Sequence, residues 1–108
     1  MERFLIVYRG APGSTPEASD RGSQYDPQRW SAWFDALGPD AVDRGSLAAA
    51  AVEIPSRLLG PKESTSALSG YCVIAAADFN AAVRLADACP IFDAGGSLEI
   101  ARLGRPPA

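Results

Sequence analysis

Tyr8 and Tyr71 each stand inside an apolar run, FLIVYR and SGYCVIAAA, where a phenol hydroxyl can be presented into an interior and act as a polariser. The same rings also serve as plain core residues with their tips at a rim. Trp30 and Phe34 follow one helical turn apart, and an indole at that place can line a cavity as readily as it anchors a helix to a sheet. Arg57 and Lys62 carry the charge to hold an anionic ligand, although solvated loop cations are the usual state of such residues. Cys72 and Cys89 lie on apolar elements and read as reduced core thiols. Histidine is absent, which removes the commonest general base and the commonest transition-metal ligand together.

Other catalytic templates fail as well. The chain has no glycine-rich phosphate loop between a strand and a helix, no Cys-x-x-Cys, no Gly-x-Ser-x-Gly and no acidic cluster at ligand spacing. Ser97, after Gly95 and Gly96, has no histidine to activate it. No metal and no cofactor are therefore expected.

The 108 residues are 47% hydrophobic and 21% charged, which suits a folded domain over residues 1–104 with a tail at 105–108. Ten basic and 13 acidic residues are scattered singly, for a net charge of -3, so no basic stripe faces nucleic acid or an anionic membrane. Apolar runs such as Phe4 to Tyr8 and Leu47 to Val52 are too short to span a bilayer, and Met1-Glu2-Arg3 does not open a signal peptide. A cytoplasmic location is expected.

The elements that must position these side chains follow from periodicity. Residues 3–9 form a strand apolar on both faces, with Phe4, Ile6 and Tyr8 opposed to Leu5 and Val7. Residues 10–25 are rich in Gly, Pro and Ser and read as a long loop, either a surface insertion or a cover over a site through Arg21 and Tyr25. A helix over 26–37 has Asp26 as N-cap, Pro27 at the first position, Trp30, Trp33, Phe34 and Leu37 on one face, and Gly38-Pro39 as stop.

Asp43-Arg44-Gly45 reads as a turn, residues 46–55 as a strand despite the helix propensity of Ala48 to Ala51, and residues 56–68 as a hairpin loop. Residues 69–77 form a second strand apolar on both faces. Asp78 caps a second helix with Phe79, Ala82, Val83 and Ala86 as its buried stripe, closing at Cys89-Pro90. A Gly95-Gly96 turn then leads into an alternating strand over 97–103.

This order predicts an α+β domain of the ferredoxin-like βαββαβ kind: a four-stranded antiparallel sheet with two helices on one face. Helices on one side leave the other face of two apolar strands bare, and a second copy packed sheet to sheet covers it most simply. A homodimer through the open sheet face is therefore expected, with Tyr8 and Tyr71 both near the seam.

Phe4-Leu5-Ile6-Val7-Tyr8, Asp43-Arg44-Gly45-Ser46-Leu47, Gly60-Pro61, Ser69-Gly70-Tyr71, Asp78 with Ala81-Ala82, Ala88-Cys89-Pro90 and Gly95-Gly96-Ser97-Leu98-Glu99-Ile100 occur in an order that resembles the YCII-like proteins, including their DGPF-motif branch. The resemblance implies a dimeric α/β barrel of ferredoxin-like topology. It also matches Asp43 to the family's aspartate before a glycine, a carboxylate whose pKa would rise in a pocket between sheets; the alternative is an aspartate capping a turn. The family phrase survives only as Leu59-Gly60-Pro61-Lys62-Glu63, and the histidine of the His-Asp dyad has no counterpart. Two functions follow as expectations: a non-catalytic dimer binding a small molecule or protein through Tyr8, Trp30, Phe34 and Tyr71, or a small lyase or isomerase with Asp43 as base.

Overall fold

A four-stranded antiparallel sheet is the frame, with β1 (Glu2–Arg9) and β5 (Leu68–Ala76) at its centre, β2 (Ala41–Leu47) on one edge and β6 (Ser97–Arg102) on the other. The computed structural model describes residues 1–10 and 26–105, so the expected loop lies outside the described residues from position 11 onward, as do residues 106–108. Two helices, α1 (Pro27–Leu37) and α2 (Phe79–Ala86), complete the α+β core. A separate two-stranded arm pairs β3 (Val52–Glu53) with β4 (Lys62–Glu63). Among the described residues no helix is long and apolar enough to cross a membrane.

The register explains why β1 and β5 are central. Val7 stands opposite Tyr71 and Leu5 opposite Val73, so the two-faced apolar patterns of both strands coincide. Phe4, Ile6, Tyr8, Cys72, Ile74 and Ala76 on one face are at most 2% exposed, because both helices pack there. Each large side chain so enclosed stabilises the fold by roughly 1.5–3 kcal/mol. On the other face Leu5, Val7, Val73 and Ala75 are half-buried and Tyr71 is 41% exposed.

Helix α1 starts where its sequence dictates: the Asp26 carboxylate accepts the Gln28 N–H at 3.0 Å, and Pro27 occupies the first turn, where its missing N–H costs nothing. Its Trp33 indole donates to the Leu85 carbonyl of α2 at 3.1 Å and fixes the two helices to each other. Asp78 caps α2 by accepting the Ala81 N–H at 2.8 Å. Only part of the expected α2 stripe is buried: Ala82 and Ala86 are enclosed, while Phe79 and Val83 remain about half exposed at 43% and 46%. Phe79 leans its ring edge-to-face on Phe4 at 5.1 Å, under the Arg102 guanidinium, instead of entering the core.

The second strand departs most from expectation. Pairing with β5 runs through 41–47, not 46–55, and Ala48 to Ala51 belong to neither helix nor strand. Asp43-Arg44-Gly45 does not reverse the chain. Instead the register slips between Ala41 and Asp43 and again between Asp43 and Ser46, so the segment bulges within a continuing strand. Gly45 makes this possible, since its φ of 63° favours glycine and an added Cβ would collide with the Tyr71 carbonyl oxygen. Residues 56–68, expected as one loop, hold the return strand of the arm and the start of β5; from β3, Glu53 accepts both the N–H and the hydroxyl of Thr65 at 2.8 Å.

Candidate functional site

The bulge on β2 and helix α1 flank a half-open pocket of about 250 Å³ over the end of β1. Tyr8 contributes from the sheet, Pro27, Trp30, Ser31 and Phe34 from the helix, and Arg44 to Leu47 from the strand. Tyr8, Trp30 and Phe34, singled out from the sequence on separate elements, thus converge. Tyr8 meets Trp30 edge-to-face at 5.0 Å, and Trp30 and Phe34 lie 6.4 Å apart at a tilt of 34°.

Tyr8 is the unusual member. It is 1% exposed, and its hydroxyl is the one buried side-chain polar atom without a hydrogen-bond partner of ordinary geometry among the described residues; only the Cys72 thiol, a weak acceptor, stands beside it. Buried polar atoms in folded proteins are overwhelmingly paired, and an orphan costs about 1–3 kcal/mol, so this phenol is free to donate to a group that none of the described residues supplies. Burial first, then the neighbouring Cys72 and Cys89 thiols, hold its pKa far above that of a free tyrosine, so it stays a neutral donor.

Arg44 is the one charged residue among the described residues that line the pocket. The bulge directs it back toward α1, where its guanidinium lies 5.4 Å from the centre of the Phe34 ring and donates to Asp35 at 2.9 Å. That ion pair is exposed on both sides, with 52% and 71% of the side chains in solvent.

The remaining sequence candidates lie elsewhere. Asp43 is exposed, is not among the lining residues, and uses its carboxylate to accept the Gly45 N–H at 2.8 Å, which stabilises the bulge. Tyr71 is on the opposite face, where it borders a shallow apolar hollow of about 480 Å³ with Leu5, Val7, Leu47 and Leu68. The expectation that Tyr8 and Tyr71 share one surface is therefore corrected: residues 8 and 71 project from opposite faces because Tyr71 pairs with Val7. Arg57 and Lys62 are exposed around the β3–β4 arm and line neither hollow.

Sequence reasoning missed Arg44, Ser31 and Ser46. The available signal was the strand-compatible flanks Ala41-Val42 and Ser46-Leu47 around an Asp-x-Gly, which a bulge accommodates as well as a turn does.

No carboxylate or thiol is among the residues that line the pocket. Burial pushes the Cys72 thiol up to about 11 and the Cys89 thiol up to about 12, so both are protonated and poorly nucleophilic at neutral pH. Among the described residues, no three His, Cys, Asp or Glu side chains gather to hold a metal ion. Comparisons of the chain with protein-family models, curated proteins and solved structures find no match.

Proposed function

We propose that this chain is a non-catalytic, YCII-like binding domain that takes a small molecule in the pocket between α1 and β2. The observation that carries the reading is the Tyr8 hydroxyl, without a partner of ordinary geometry among the described residues and buried beside an aromatic-walled hollow of about 250 Å³. Apolar walls with a few convergent polar groups are what small-molecule sites are made of. The strand order β2-β5-β1-β6, with one helix after β1 and one after β5, supports a ferredoxin-like βαββαβ assignment once the short arm is set aside. The half-buried apolar face around Val7, Val73 and Tyr71 supports a homodimer closed sheet to sheet. A lyase or isomerase using Asp43 has less behind it, because that carboxylate is exposed and engaged with the Gly45 N–H.

Titration of the isotope-labelled protein with a metabolite library, read by the Trp30 indole N–H resonance, is expected to give saturable shifts centred on Trp30, Phe34 and Arg44. Silence across the library, or shifts confined to other surfaces, would refute the binding role. Sedimentation at micromolar concentration is expected to show a dimer, and a monomer there would remove the sheet-to-sheet assembly.

A further inference from the structure

Granting that the pocket binds a small molecule, three observations narrow its class. Its volume of about 250 Å³ lies just below the ~300–1,000 Å³ typical of drug-sized ligands, which leaves room for one ring and a short polar arm. Two of its walls are aromatic, Trp30 and Phe34, and a planar ring recovers more contact there than a flexible chain does. Its one charged lining group is a donor, the Arg44 guanidinium fork, and the neutral polar side chains beside it are the hydroxyls of Tyr8, Ser31 and Ser46. A cation would find no lining carboxylate to meet it.

We propose that the ligand is a small aryl carboxylate, its ring against Trp30 and Phe34, its carboxylate on Arg44, and a further acceptor oxygen on the Tyr8 hydroxyl. Arg44 is held in reserve by Asp35 through a single nitrogen at 2.9 Å, with both side chains half or more in solvent, and such exposed pairs are weak. A ligand carboxylate reaching the same guanidinium from the less hydrated pocket side can take two parallel hydrogen bonds and outcompete it. Asp35 is then a positioning residue with an opposing charge: it preorganises Arg44 over Phe34 and weakens anion binding by competition.

Calorimetric titration of the full chain with benzoylformate, benzoate and benzamide tests this. Benzoate is expected to bind at least about tenfold more tightly than its neutral amide, the scale of a charge-assisted hydrogen bond over a neutral one. Benzoylformate should bind more tightly still, through its keto oxygen. Arg44→Gln should erase the preference for acid over amide, Tyr8→Phe should erase the benzoylformate advantage, and Asp35→Asn should tighten both acids about two- to fivefold while leaving benzamide unchanged. Equal binding of acid and amide, or an Asp35→Asn variant with unaltered affinity for the acids, would overturn the aryl carboxylate assignment while leaving the pocket's binding role intact. If none of the three compounds binds at millimolar concentration, the assignment also falls; the binding role falls with it only if the wider metabolite library is silent too.

Discussion

The two faces of the β1–β5 pair are built from the same kinds of residue and end in different states. Phe4, Ile6, Ile74 and Cys72 are wholly enclosed beneath the helices, whereas Leu5, Val7 and Val73 across the same strands keep part of their surface in water. Alternation along a strand assigns each residue to a face, but only a tether decides what covers that face. On the helix side the tether is the chain itself, with capped helices joined by the bond from Trp33 to Leu85. The open side has an apolar surface that none of the described residues covers. Among the described residues the covered face also carries the one buried side-chain polar atom left unpaired, the Tyr8 hydroxyl, and the pocket between α1 and β2 lies on the same side.

Matched truncations on one strand test this contrast most strongly. Ile74→Ala leaves a cavity in the enclosed layer and is expected to cost about 3–4 kcal/mol. Its neighbour Val73→Ala removes half-solvated methyl groups and should cost about 1 kcal/mol. Urea denaturation followed by circular dichroism measures both. Equal losses at low protein concentration would mean that the two faces are equally covered, and a Val73→Ala loss that grows with concentration would identify the second copy as the missing cover.

Gly45 connects the faces, since the bulge it permits sends Arg44 to the helix side. Gly45→Ala must strain a φ of 63° and push against the Tyr71 carbonyl, at a cost of about 2 kcal/mol. The same variant should lose the Arg44 contribution to anion binding, whereas a purely local defect would lower the melting temperature and leave the acid preference untouched.

Legibility followed the range of the determining interactions. Helix α1 could be read almost to the residue because Asp26, Pro27 and Gly38 act within one turn of it. The position of β2 could not, because whether Asp43-Arg44-Gly45 turns or bulges depends on β5 lying alongside, far away in sequence. Tyr8, Trp30 and Phe34 were recognisable as aromatic residues with a possible site role, but their meeting with Arg44 is a product of that same long-range pairing. Phe79 illustrates the converse: helical periodicity placed it inward, and the ring of Phe4 together with Arg102 gave it a half-exposed resting place at the edge.

The enclosed face should also respond to alkali in a way the open face does not. Burial raises the Cys72 thiol to about 11 and the Cys89 thiol to about 12 from a usual value of 9.0. The folded state therefore keeps its protons where the unfolded chain has released them. Stability is fully present below about pH 9 and declines as pH rises toward the folded values, the sign required when the native state binds more protons. Urea midpoints at pH 7 and pH 10.5 measure the decline, and replacing both cysteines by alanine should shrink the slope even though the cavities lower stability overall.

Tyr8→Phe is the smallest change in atoms and the sharpest comparison between what the fold needs and what the site needs. If the hydroxyl served the fold, its removal would cost stability, as the loss of a buried hydrogen bond does. Among the described residues it has no partner beyond the weakly accepting Cys72 thiol, so the reverse is expected: the apolar ring keeps its edge-to-face contact with Trp30, the desolvated oxygen is gone, and the ligand-free protein gains about 1 kcal/mol. The stabilised variant should at the same time bind benzoylformate less tightly than the parent does. A melting temperature that falls on Tyr8→Phe would show that the hydroxyl is satisfied within the folded chain, and the pocket would then lose the feature that most distinguishes it from ordinary core packing.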